Sequence, residues 1–164
     1  MYLPLGLTGR AVLTVTAGDT AEAVGSGDVP VLATPRLLAL AEAATVDAVR
    51  DALPAELTSV GVRVELDHRR PTPVGATATA TATLESVDGR ALRFAVRVRD
   101  DVSIVGTAED TGGPADPDGR LVAEATIERA ALDRARFVAR IPAVDRHGDQ
   151  PAAESATATD EGLR

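Results

Sequence analysis

Residues 34–53 read TPRLLALAEAATVDAVRDAL, and this stretch decides the fold. Thr34 suits an N-cap, and Pro35 suits the first helical position, where a missing N–H costs nothing. Helix formers follow without a glycine, and Pro54 marks the end. Between Leu37 and Val49 almost every residue is apolar or small, so the helix is expected to be wrapped on most sides. Glu42 stands in the middle of that run. A carboxylate there is costly to desolvate unless paired, hydrogen-bonded or protonated, and burial would raise its pKa toward a useful general-base range.

The segments on either side of the helix read as strands. Residues 9–17, GRAVLTVTA, alternate apolar with polar or small, and a short helical turn follows over 19–24. Residues 59–68, SVGVRVELDH, form a second strand with Val60, Val62, Val64 and Leu66 on one face and Gly61, Arg63, Glu65 and Asp67 on the other. RRPTPVG at 69–75 is a tight crossing with two prolines and a glycine. Residues 76–87 carry threonine at period two, Asp88-Gly89 is a hairpin signal, and 91–99 return as the next strand. Residues 102–106 can extend that strand, before a Gly/Pro/Asp-rich excursion. A last strand over 120–131 and a short helix over 133–140 complete the pattern. One long helix followed by four strands, mostly hairpin-linked, gives an α+β hotdog fold, a curved antiparallel sheet wrapped around one central helix. The domain is expected over residues 1–142, with 143–164 a disordered polar tail. One helix cannot cover the whole sheet and edge strands remain, so a homodimer is expected.

Composition narrows the function classes. The chain has 164 residues, enough for one domain with a real core, and is 45% hydrophobic and 26% charged. Aromatics are limited to Tyr2, Phe94 and Phe137, so Ala, Val and Leu must build the core. All 17 basic residues are arginine, which reads as the codon usage of a GC-rich genome. A net charge of −8 argues against nucleic acid and anionic membrane partners. Without cysteine there is no disulfide, thiol nucleophile or zinc–thiolate site, and two histidines, His68 and His147, are too few for a histidine-built metal centre. No signal peptide or membrane-spanning run is visible, which makes the cytoplasm the default.

Thr34, Glu42 and His68, with PTPVG at 71–75, resemble the fluoroacetyl-CoA thioesterase-like branch of the hotdog superfamily. That family's pattern places a threonine before the helix, a glutamate eight residues on, and a histidine twenty-six further, just before a Pro-Thr-Pro-x-Gly crossing; all of these intervals occur here. Gly61 matches a substrate-contacting glycine. TIERA at 126–130 resembles the family's T-H-E-R-A segment, whose arginine contacts ligand and corresponds to Arg129. The resemblance runs from about residue 5 to 141. It implies hydrolysis of an acyl-CoA thioester with Thr34, Glu42 and His68 as catalytic set and Gly61 and Arg129 binding substrate. No cofactor or metal is implied, since CoA belongs to the substrate.

Two departures stand out. The family's lid aromatics would fall near Gly25 and Asp28, neither of them aromatic, so fluoroacetyl specificity does not carry over. Residues 102–117 look inserted, and Ile127 stands where T-H-E-R-A has histidine.

Each residue type suits the chemistry. Glu42 can attack directly or serve as base for water. His68 can orient water or protonate the leaving thiolate, and Thr34 can hold water or polarise the nucleophile. Gly61 can offer its N–H to the oxyanion, while Arg69, Arg70 and Arg129 can meet CoA phosphates. Each also has a plainer reading: a cap for Thr34, a carboxylate capping a backbone turn or paired with an arginine for Glu42, a structural imidazole for His68, a strand bend for Gly61 and solvated arginines. Eight helical residues span roughly 12 Å, so Thr34 and Glu42 of one helix cannot readily touch, and a site shared by two chains is expected. The competing functions are a non-catalytic hotdog protein that binds acyl-CoA or a related ligand, and a hotdog lyase or cyclase.

Overall fold

The structure, a computed structural model, describes residues 3–103 and 119–143. Strand β1 (Thr8–Thr14) leads through a single 3-10 turn (Ala17–Asp19) and helix α1 (Ala21–Val24) to the long helix α2 (Thr34–Val49). Strands β2 (Leu57–His68), β3 (Thr77–Asp88), β4 (Ala91–Asp100) and β5 (Arg120–Asp133) follow, then helix α3 (Arg134–Val138). All pairings are antiparallel, in the order β1-β3-β4-β5-β2, so β1 and β2 are the edges. Register shifts at Gly61/Arg63, Leu84/Ser86 and Val98/Arg99 add local twist, and the sheet curls round α2 in the hotdog arrangement. Most of 102–117, and all of the expected tail except Ala143, lie outside the described residues. Among the described residues no helix is long and apolar enough to cross a membrane.

Small residues let helix and sheet approach closely. Leu37, Ala41, Ala44 and Val49 of α2 meet Ala78, Ala80, Ala82 and Leu84 of β3, Phe94, Val96 and Val98 of β4, and Ile127 of β5. Over residues 77–84 the alternation on β3 is strict, with alanines inward and threonines outward, as a period-two strand over a core requires. The closest approach is at Gly9 on β1. A methyl group there would overlap the Ala44 carbonyl oxygen and the Ala48 amide nitrogen, backbone atoms that cannot swing aside. Beside it the Arg10 amide donates to Asp47 Oδ2 at 2.8 Å, tying the strand to the end of α2. Gly9→Ala is therefore expected to cost about 3 kcal/mol, the upper end of ordinary overpacking, read as a lowered urea midpoint at unchanged slope. An unchanged midpoint would show that β1 does not lie against the helix backbone.

Three expectations need correction. Helix α2 stops at Val49, with irregular turns completing the stretch to Leu53. It is not wrapped on most sides, because Ala39, Ala43 and Val46 face outward, Val46 being 42% exposed. Nor do the four apolar residues of β2 share one face. Gly61 pairs with Arg129 and Arg63 with Glu128, so Val62 is an extra residue bulged out to 67% exposure. Across the bulge the phase reverses. Val64 and Leu66 pair with inward-facing Ile127 and Ala125, whereas on the other side Gly61 and Ser59 oppose inward-facing Arg129 and Ala131.

Candidate active site

Thr34 occupies the first turn of α2, but it is not the cap. Ala33 holds the N-cap position, with no side-chain cap bond, and its carbonyl accepts from Leu37 N–H. The Thr34 hydroxyl is thereby left to its other partner, lying 3.0 Å from His68 Nδ1 at the end of β2. The crossing after His68 brings the two together. Thr72 O accepts from Leu32 N–H at 2.8 Å, and Val31 bridges to Pro73. The segment entering α2 is thus laid alongside the crossing that leaves β2.

The crossing is itself anchored by a network that the sequence reading did not find. Asp100, at the end of β4, is 2% exposed. It accepts from Thr72 Oγ1 at 2.8 Å and from Arg120 Nε and Nη2 at 3.0 and 2.6 Å. Arg120 Nη2 also donates to Pro71 O at 2.6 Å.

His68 is half-buried, and its Nε2 is buried with no hydrogen-bond partner among the described residues. Burial holds its pKa below the ordinary imidazole value, while the Arg70 backbone acts in the opposite direction. A neutral imidazole has one acceptor nitrogen. Facing a hydroxyl, Nδ1 can take the Thr34 proton bond and leave the threonine oxygen as a polarised acceptor.

Glu42 stands two turns further along α2 in a different group. Its side chain is 37% exposed, and its Oε1 lies 3.5 Å from Arg129 Nη1. The expectation of a carboxylate enclosed by aliphatic neighbours is thus not met. Glu42 sits at the edge of the outward face of α2, where water reaches it, and a cation answers its charge. Gly61 lies against it: a methyl group on Gly61 would overlap Glu42 Oε1. Arg129 is 6% exposed, so its guanidinium is turned into the protein. It donates through Nε to Ser59 Oγ at 3.0 Å and through Nη2 to Ser59 O at 2.8 Å. Burial lowers the Arg129 pKa, and the Glu42 charge offsets this in part. Arg69 instead pairs on the outer surface with Glu124 at 2.8 Å, and Arg70 Nη1 donates to Leu121 O at 2.9 Å.

Within one chain, then, the five residues fall into two groups, Thr34 with His68 and Glu42 with Gly61 and Arg129. Ser59 is a further member that the sequence reading missed. Its signal was the alternation of β2, read without the bulge that turns residue 59 to the inner face.

The model of the fluoroacetyl-CoA-specific thioesterase family matches residues 15–111. Among solved structures, the fluoroacetyl-CoA thioesterase FlK is 26% identical, covering 87% of this chain and 100% of its own, with a TM-score of 0.69. An FlK variant in complex with acetyl-CoA is 25% identical, covering 84% and 95%, at a TM-score of 0.68. A Thermus thermophilus hypothetical protein of the thioesterase superfamily shares the fold at 20% identity, 84% and 90% coverage and a TM-score of 0.69. No curated protein matches the chain.

Proposed function

The chain belongs to the fluoroacetyl-CoA-specific thioesterase family, and from that membership we propose that it hydrolyses an acyl-CoA thioester to free acid and CoA, as a cytoplasmic homodimer. The observation that carries the residue assignment is the 3.0 Å approach of Thr34 Oγ1 to His68 Nδ1. A threonine placed only to cap the helix would turn its hydroxyl to the backbone, and here it does not.

Hydrolysis needs an activated water, stabilisation of the developing oxyanion and a proton for the departing sulfur. In this proposal neutral His68 accepts from the Thr34 hydroxyl, whose oxygen then orients the attacking water. Glu42 takes a proton from that water as its oxygen bonds to the acyl carbon. The Gly61 N–H meets the carbonyl oxygen as it becomes negative; the absence of a side chain lets substrate approach. The C–S bond breaks with its electron pair on sulfur, and Glu42 returns the proton to the thiolate. Arg129 acts on substrate through Glu42 rather than on CoA phosphates, because its guanidinium is buried. The two groups lie apart along α2, so the proposed site pairs one chain's Thr34 and His68 with its partner's Glu42. FlK's capture with acetyl-CoA supports a CoA ester as the substrate class.

The test is a panel of acyl-CoA esters, acetyl and fluoroacetyl included, with released thiol as the readout. CoA release is the expected result; tight binding without release would establish the non-catalytic reading instead. The pH profile gives a second check. The base form of His68 is required, and burial holds its pKa below the ordinary 6.5. Turnover should persist down to pH values that would already protonate an ordinary histidine, then fall as pH drops through the lowered value. A rate that falls already at or above the ordinary imidazole pKa, or one that does not fall at all on acidification while the fold persists, would remove His68 from the mechanism.

A further inference from the structure

We propose that Ser59 is a positioning residue for Glu42, acting through Arg129. The inference rests on the reading above that Glu42 is catalytic. Glu42 alone is poorly held, since its side chain is 37% exposed and comes from an outward-facing part of the helix. The geometry of the Arg129 guanidinium supplies the restraint. A guanidinium is a rigid planar fork, so two bonds along one edge fix the direction of the remaining nitrogen. Here both restraining bonds go to Ser59, Nε to the hydroxyl and Nη2 to the carbonyl, at 3.0 and 2.8 Å. That leaves Nη1 pointing at Glu42 Oε1, 3.5 Å away. Because Arg129 is 6% exposed, little water is available to replace a lost partner.

The Val62 bulge makes this arrangement possible. Without the extra residue, β2 would present Val60 and Val62 to the inner face, and neither side chain can accept from an arginine. With it, Ser59 and Gly61 stand on the Arg129 side, one binding the guanidinium and the other leaving room for the carboxylate. Serine suits the position because its main-chain and side-chain oxygens both reach the same edge of the fork.

Steady-state kinetics of Ser59→Ala and Ser59→Thr, each in the wild-type and Glu42→Gln backgrounds, test the inference. Ser59→Ala keeps the carbonyl bond and loses the hydroxyl bond. It is expected to lower kcat about tenfold, as for a charge-assisted bond, with KM within about twofold of wild type. Ser59→Thr keeps the hydroxyl and should restore kcat. In the Glu42→Gln background Ser59→Ala should cost nothing further, since the group it positions has lost its charge. Losses that multiply across the two substitutions, or a change confined to KM, would overturn the inference while leaving the thioesterase reading intact. A wild-type chain that binds acyl-CoA without turnover would overturn both. Ser59→Cys, of similar size but a weak acceptor, provides the same comparison where Ser59→Ala does not fold.

Discussion

Asp100→Ala is expected to lower the stability of the fold by about 3–5 kcal/mol, a large share of the roughly 5–15 kcal/mol available to a domain. The carboxylate is 2% exposed, and both of its oxygens are engaged by Arg120, with Thr72 donating to one of them. Removing it takes two charge-assisted hydrogen bonds from the Arg120 guanidinium, itself only 16% exposed in its side chain. The Thr72 hydroxyl, in a fully buried residue, loses its acceptor as well. Breaking a buried pair from one side costs more than the pair is worth intact, because the surviving charge stays desolvated. Asp100→Asn retains an acceptor oxygen but sets an amide against the arginine, so its loss should be smaller than that of alanine. Urea unfolding of both variants measures this, and an alanine variant within about 1 kcal/mol of wild type would show that the network is not closed as described. Because Thr72 also receives Leu32 N–H ahead of α2, the Thr34–His68 approach should loosen together with the fold.

How legible such features are in a sequence depends on whether they are local. The strands and α2 could be read because each is written in consecutive residues: threonines at period two on β3, Asp88-Gly89 at the β3–β4 turn, and an apolar run closed by Pro54. Thr34, Glu42 and His68 were singled out by spacings that resemble a family pattern; folding sets Thr34 beside His68 and Glu42 beside Arg129. Asp100 could not be singled out. In sequence it falls just past the strand expected over 91–99, and its partners Thr72 and Arg120 lie in segments joined to it only by folding. The Val62 bulge was hidden for a similar reason, since a strand's alternation says nothing about a residue its neighbour does not match. That omission concealed Ser59 and misplaced Val60. The burial of Glu42 was overestimated because apolar residues all round a helix leave open which side the sheet covers. Here α2 lies chiefly on β1 and β3, and its Ala39, Ala43 and Val46 side is left outward. The cap was misassigned by one residue, and that residue matters: a capping Thr34 would have been a structural hydroxyl, whereas one step inside the helix it can face His68.

His68→Ala and Glu42→Ala are each expected to lower CoA release by about 10²–10⁴-fold, the range for loss of a general acid–base group. Alone, these losses identify necessary groups without saying which chain supplies them. Mixing the two inactive variants separates the possibilities. If one chain's His68 works with its partner's Glu42, a mixed dimer carries one doubly altered site and one site with both groups native. Equal mixing with free exchange makes half the dimers mixed, so about a quarter of wild-type turnover should return. If every group of a site comes from one chain, each site of the mixed dimer still lacks one group, and no turnover returns. The separate placements of Thr34 with His68 and of Glu42 with Arg129 favour the first outcome. Two turns of helix, roughly 12 Å, cannot be closed by side chains of this length while each remains bound to its present partner. The exposed Val46 beside Glu42 and the bulged Val62 on edge strand β2 are apolar surface next to the Glu42 group that a second chain would cover. Mixing without recovery, from dimers shown to exchange subunits, would return all three catalytic groups to a single chain and require α2 or β2 to move before substrate could react.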